Sequence, residues 1–140
     1  MAAFNKFNSF VEALAEKVHN LGADTLKVML TNSAVVATNT VKADLTDLST
    51  ANGYTAGGNS AAITSSSQTS GTYKLVLADP ATWTASGGSI GPFRYAVLYN
   101  DTATSKELIG FFDNGSSITL ASGDSFVVDF DATNGVLQLA

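Results

Sequence analysis

The feature that most constrains the fold is an aromatic hairpin pattern in the second half of the chain. A loop rich in glycine and serine leads from Trp83 into the strand-like stretch 90–99, and Asn100-Asp101 marks a polar turn before a second aromatic stretch at 108–112. Alternation places Phe93, Tyr95, Val97 and Tyr99 on one face of the first strand, with Arg94, Ala96 and Leu98 on the other. Apolar side chains on both faces predict a central strand that is covered on both sides. We therefore expect a β core built around this hairpin.

Other short stretches have the alternation or turn signals of β-strands. They lie at 25–31, 62–65, 72–77, 118–120, 125–130 and 136–139, and the dipeptides Asn114-Gly115 and Asn134-Gly135 indicate turns. The sequence thus predicts one mainly β domain over 1–140, with a β region from 25 to 140. About seven to eight antiparallel strands would form a β-sandwich or a barrel-like domain.

The N-terminal segment has the periodicity of an α-helix. Its apolar residues recur at spacings of three and four, and these are Phe7, Phe10, Val11, Leu14, Val18 and Leu21. With Gly22 as a C-terminal signal, this predicts one amphipathic helix over 5–21. Its apolar stripe would either cover one side of the β core or dock on a partner subunit.

The region 33–58 is predicted to be a long connection. It contains one short helical possibility over 41–48, where Val41, Leu45 and Leu48 share a face. Long connections in compact domains are often functional, so this region is a candidate surface.

Composition favours some partners and disfavours others. Charged residues make up only 14% of the chain, against about 25% in ordinary soluble domains. A surface of Ser, Thr, Asn and Gly suits proteins that work outside cells or on particles, although small β-sandwiches also have it. The net charge is -5 and the seven basic residues are dispersed, so we expect no nucleic-acid partner.

No disulfide or thiolate site is expected, because the chain has no cysteine. Lys6, Glu12, Glu16 and Lys17 interrupt the apolar residues near the N-terminus, so we expect no signal peptide. The sequence also lacks an apolar run of the length that crosses a membrane. We therefore predict no membrane partner.

Few residues of the chain are candidates for chemistry. His19 is the sole histidine, and its place near the predicted helix end favours a surface or capping role over zinc binding or a catalytic triad. Two acidic groups, Asp44 with Asp47 and Asp124 with Asp129 and Asp131, would suit calcium or glycoside hydrolysis but are more typical of solvated edges. We expect no enzyme activity, no metal and no cofactor.

The aromatic side chains of the hairpin have two interpretations. Trp83, Phe93, Tyr95 and Tyr99 would form either a sugar-stacking platform or part of the core, and their shared face favours the core.

Two parts of the chain carry a family resemblance. The segment Lys17–Asn32, and the hairpin from Trp83 to Asn100 with Leu108–Asp113, resemble small virion structural proteins of tailed bacteriophages. The resemblance implies a non-enzymatic capsid decoration or cement protein, which would bind the outer surface of the major capsid protein shell and stabilise it. A phage tail or receptor-binding, carbohydrate-binding accessory protein is the alternative.

The resemblance also implies an assembly and a location. It favours a symmetric homo-oligomer, a trimer or a dimer, that is made in the host cytoplasm and resides on the capsid surface of the virion. The candidate docking residues are Phe4 and Phe7 at the start of the N-terminal helix, Phe10 within it, and Val41, Leu45 and Tyr54 in the long connection.

Overall fold

A computed structural model of the protein describes residues 2–140. Ten strands and one helix occur in the described residues, in the order β1 Phe4–Lys6, α1 Ser9–Ala15, β2 Leu26–Thr31, β3 Asn59–Ser60, β4 Ile63–Thr69, β5 Thr72–Leu77, β6 Trp83–Thr84, β7 Ile90–Asn100, β8 Leu108–Leu120, β9 Ser125–Phe126 and β10 Leu137–Leu139. The prediction of a mainly β fold with one helix is confirmed.

Every strand pair is antiparallel. The largest sheet has five strands in the order β1-β8-β7-β2-β3, beside a three-stranded sheet β10-β5-β4 and a two-stranded sheet β6-β9. Over residues 2–140 the outer strands β1 and β3 do not pair with each other, so the sheet does not close into a barrel.

The first strand of the aromatic hairpin, β7, is the central strand of the large sheet, as predicted. β7 pairs with β2 on one side and with β8 on the other, and it contributes to a core on each face. The predicted face of Phe93 is wrong, because Phe93 packs with Ala96 and Leu98 in the main core while Tyr95 and Val97 face the opposite way. A register irregularity between Phe93 and Tyr95 changes the alternation.

Two predicted boundaries in the last third of the chain are also wrong. Asn114-Gly115 does not end a strand, because β8 runs to Leu120 and absorbs the extra residues between Asp113 and Ile118 as an irregularity opposite β7. The predicted strand 125–130 pairs only at Ser125–Phe126. Val128 and Phe130 are buried without belonging to a strand.

The main core lies between one face of the large sheet and the two smaller sheets. Its large buried side chains include Leu26, Val28, Leu30, Leu75, Leu77, Trp83, Ile90, Phe93, Leu98 and Ile109. Residues from all three sheets thus contribute to one apolar cluster. This layered packing is what gives the chain its principal hydrophobic stabilisation.

The long connection forms a covering layer on the other face of the large sheet. Val35 and Leu45 from the connection join Phe7 against side chains of β2, β7 and β8, which are Met29, Tyr95, Val97, Tyr99, Leu108 and Phe111. Only the turn Lys42–Asp44 is helical, as a short 3₁₀ helix. Val41 and Leu45 are extended, so the predicted helix over 41–48 is wrong, and the segment follows the sheet instead.

The predicted helix over 5–21 is also wrong. Phe4–Lys6 form β1 beside β8, the helix covers only Ser9–Ala15, and Lys17 has a φ of 68° that ends any continuation. The apolar residues of this segment serve separate contacts: Phe4 meets Phe112, Phe7 enters the second core, and Phe10 enters the main core. The apolar residues have the spacing of one helix face, but they are buried in different places rather than along one face of a helix.

Candidate functional site

His19 lies in a buried polar cluster between the segment after α1 and the tip of the β7–β8 hairpin. Only 5% of His19 is exposed, which contradicts the predicted surface or capping role. Its Nδ1 is 3.0 Å from Nδ2 of Asn100, and the same Asn100 nitrogen donates to Asp24 at 2.6 Å. Asn100 Oδ1 accepts the backbone N–H groups of Thr102 and Ala103. This cluster ties the two segments together.

The cluster favours a neutral imidazole. Because the Asn100 amide donates to Nδ1, the proton of neutral His19 sits on Nε2. Nε2 of His19 and Oε2 of Glu107 are both buried, and neither has a hydrogen-bond partner within residues 2–140. Burial lowers the pKa of His19, and the charges of Glu107 and Asp24 oppose that shift.

An open groove lies beside this cluster. It has a volume of about 580 Å³ and runs between the end of α1 with the following turn and the sheet β10-β5-β4. Leu14, Val18, Tyr73 and Leu139 give it an apolar lining, and Lys17 contributes a cation. Val18 and Leu139 are two of the few large apolar side chains that remain exposed in the described part of the chain. We call this surface the His19 groove.

Two polar side chains at the groove are already hydrogen-bonded to other side chains of the protein. The hydrogen-bond partner of His19 is the amide of Asn100, and the nearest serine of the groove, Ser66, shares its hydroxyl hydrogen bond with Tyr73. A nucleophile needs a base within hydrogen-bond reach. The groove therefore presents apolar side chains to solvent, and the hydrogen-bonded cluster of His19, Asn100 and Asp24 lies beside it.

A second polar cluster fixes the long connection to the sheet. Asp47 accepts hydrogen bonds from the Tyr54 hydroxyl at 2.5 Å and from the Gly57 N–H at 2.6 Å, and it pairs with Lys42 at 3.2 Å. The Tyr54 hydroxyl accepts from the Leu30 N–H, and the Tyr99 hydroxyl donates to the Gly57 carbonyl. Burial raises the pKa of both tyrosines, so their hydroxyls stay protonated. We call this the Asp47 clasp.

The structure distributes the predicted docking residues over different environments. Phe7, Phe10, Leu45 and Tyr54 are buried by the chain itself. Phe4 and Val41 are only half-buried, and they lie on separate elements, since Phe4 belongs to β1 and Val41 forms a bridge with Glu107. These six side chains do not form one surface.

The aromatic side chains of the hairpin belong to the cores. Trp83, Phe93 and Tyr99 are each 1% exposed, and Tyr95 is 8% exposed. Core packing is thus the interpretation that the geometry supports, because a sugar-stacking platform needs exposed ring faces.

The acidic residues mostly fix local turns. Asp44 caps Thr40 and Val41, Asp124 accepts from the Ala121 N–H, and Asp131 accepts from the Thr133 and Asn134 N–H groups. These contacts lower the pKa of Asp44 and Asp131. Within residues 2–140, no three His, Asp or Glu side chains come together in a way that would hold a metal ion.

Sequence reasoning missed the partners that define both clusters. Asn100 looked like a turn residue, yet its side chain reaches His19, which is 81 positions earlier. Asp47 looked like a solvated acid, yet its side chain is only 12% exposed. The sequence shows only that Asn100 is a short polar residue directly after an apolar strand. That position does not indicate which residue its side chain contacts.

Comparison with known proteins found no matching family model, no similar curated protein and no similar solved structure. In the part of the chain that the structure describes, none of the helices has the length and apolar character needed to cross a membrane.

Proposed function

We propose that this chain is a non-enzymatic structural protein of a tailed bacteriophage particle, a decoration protein that binds the outer surface of the major capsid protein shell. The resemblance in the N-terminal segment and the aromatic hairpin motivates this proposal. The observation that carries it is the His19 groove, an exposed apolar surface on a domain whose two buried polar clusters hold its own segments together. Such a domain offers contact area and rigidity.

The rigidity of the domain supports a stabilising role. Both faces of the large sheet are covered, and the Asp47 clasp joins the covering layer to β2 through Leu30 and Tyr54 and to β7 through Tyr99 and Gly57. A preformed domain loses little conformational entropy on binding. Repeated over a shell, many weak contacts then act together through multivalency.

The groove is the proposed capsid-binding surface. Val18 is 37% exposed and Leu139 is 54% exposed, and they approach the groove from different ends of the chain. Apolar side chains at the centre of an interface contribute most when a partner removes them from water. An apolar segment of the shell protein would fill this space.

The test is to mix the purified protein with capsids stripped of accessory proteins and to image them by cryo-electron microscopy. We expect density at regular lattice positions on the outside of the shell, and Val18→Asp should lower its occupancy at least tenfold. Ser105→Asp, at an exposed hairpin position, is the matched control and should leave occupancy unchanged. Absence from the head, or density on tails alone, would overturn the proposal, and tail density would favour the accessory alternative.

A further inference from the structure

The longest strand edge that the fold leaves open belongs to β4. In the three-stranded sheet β4 is an outer strand, paired with β5 on one side. The other outer strands of the sheets are two or three residues long, and β1 also carries Lys6. β4 is seven residues long, Ile-Thr-Ser-Ser-Ser-Gln-Thr, without a charge or a proline. Natural proteins usually protect such edges by short strands, charges, prolines or β-bulges, and the one register irregularity of β4 lies between Ile63 and Ser65, before the stretch Ser66–Gln68.

The register shows which backbone groups of β4 face outward. Ser70 and Gly71 form a two-residue turn with φ values of 51° and 84°, and Thr69 opposes Thr72 across it. In such a hairpin the flanking pair is hydrogen-bonded and the pairs then alternate. Gln68 and Ser66 therefore direct their N–H and C=O groups away from β5. Within residues 2–140, neither residue forms a backbone hydrogen bond to another segment.

We propose that the protein forms a two-fold dimer in which β4 pairs antiparallel with β4 of a second copy. With Ser67 opposite Ser67 of the second copy, Ser66 of each chain opposes Gln68 of the other, and these two pairs make four backbone hydrogen bonds. The result is one continuous sheet of six strands across the two copies. Two-fold symmetry satisfies both β4 edges at once, and the six-stranded sheet then ends in the short strand β10 on each side.

Charge favours β4 over charged parts of the surface as the contact between two copies. Each chain carries a net charge of -5, but β4 has no charged residue, and the pairing around Ser67 brings only hydroxyl and amide side chains together. Lys74, which lies opposite Ser67 on β5, would be about 14 Å from its symmetry mate across three strand spacings. Salt screens charges at that separation.

The dimer is tested on the isolated protein, so its failure leaves capsid binding untouched. Sedimentation velocity at about 0.5 mM populates even a dimer with a dissociation constant near 1 mM. We expect a dimer for the native protein and at least tenfold weaker association for Ser67→Lys, because like charges would stand directly opposite. Ser105→Lys adds the same charge at an exposed site away from β4 and should remain dimeric.

A cysteine variant tests the register, because the native chain has no cysteine. Residues opposite in a pair without hydrogen bonds have Cβ atoms about 4.5 Å apart, close to the spacing in disulfides. Ser67→Cys should therefore give a covalent dimer on mild oxidation, and Ser105→Cys should not.

A monomer or a trimer at about 0.5 mM would overturn the proposal. Equal dimer dissociation constants for Ser67→Lys and Ser105→Lys would also overturn it. If circular dichroism shows that Ser67→Lys is unfolded, Gln68→Pro replaces it, since proline removes an outward N–H and is tolerated at a sheet edge. The same loss of dimer is then required.

Discussion

At the scale of single residues, the polar side chains that matter most in this protein join segments distant in sequence. His19 and Asp24 reach Asn100 at the end of β7. In the Asp47 clasp, the Tyr54 hydroxyl accepts from the Leu30 N–H of β2 and the Tyr99 hydroxyl donates to the Gly57 carbonyl. Burying such groups is favourable only when their hydrogen bonds are made. The two clusters therefore fix one arrangement of the loops around the sheet.

His19 makes the stability depend on pH. Its pKa in the folded protein is below the ordinary value of 6.5, so below that pH the unfolded chain takes up a proton that the folded protein does not. The neutral side chain's contribution to the free energy of unfolding is fully present above pH 6.5. It is lost as the pH falls from 6.5 through the pKa of His19 in the folded protein. We expect the free energy of unfolding to fall between about pH 7.5 and about pH 5.5.

Urea unfolding at these two pH values measures this effect. His19→Gln is the control, because it removes the titrating group and should reduce the pH dependence in this window. Asp44, Asp101, Asp113 and Asp131 have lowered pKa values, and their contributions are lost only below the ordinary value of 3.8. As His19 is the sole histidine, NMR can follow its ring directly. An imidazole that titrates at or above 6.5 would contradict the prediction.

At the scale of elements, the sequence predicted what depends on local patterning. The strands β2, β5 and β10 and the central place of β7 follow from alternation and turn residues. The N-terminal helix was predicted too long, because Phe7 and Phe10 have the spacing of one helix face but are buried in different cores. The periodicity of apolar residues indicates which side chains are buried, but it does not indicate which elements they pack against.

The candidate site was predicted less well than the fold. The long connection was identified as important, but its apolar residues Leu45 and Tyr54 are buried in cores rather than offered to a partner. The His19 groove depends on Val18 and Leu139, which meet only after the chain has folded. Contacts between such distant positions have no local signal in one sequence.

At Gly58 the connection passes directly against the backbone of β2. The φ of Gly58 is 76°, and a Cβ there would lie 1.8 Å from the Val28 carbonyl oxygen. Gly58→Ala should therefore lower the free energy of unfolding by about 3 kcal/mol or more, from left-handed strain and steric overlap together. Gly71→Ala is the matched control, with a φ of 84° and nothing within 4 Å of the added carbon.

Denaturant titration of both variants separates the two causes. Gly71→Ala should lower the free energy of unfolding by about 1 kcal/mol, from backbone strain alone. We expect the larger loss of stability for Gly58→Ala. Equal losses in the free energy of unfolding of the two variants would contradict this prediction and would show that the connection can move away from β2.

At the scale of the whole molecule, the large sheet carries a core on each face and connects them. β7 places Ala96 and Leu98 in the main core, and Val97 and Tyr99 in the second core. Adjacent residues of one strand are thus buried in different layers. A strand that belongs to both cores cannot leave one without disturbing the other, so the domain should unfold as a single unit.

A cavity in the second core tests this cooperativity. Leu45 is 8% exposed there, and Leu45→Ala should lower the free energy of unfolding by about 2–4 kcal/mol. Trp83, the only tryptophan, lies in the main core, and its fluorescence should shift to a lower denaturant midpoint together with the far-UV circular dichroism. Val36→Ala, at a 51% exposed position of the same connection, should change the free energy by no more than about 0.5 kcal/mol. If Leu45→Ala moved the circular dichroism transition but left the Trp83 transition in place, the two cores would be independent. The covering layer would then be a separate element that a partner could displace, rather than a fixed part of the domain.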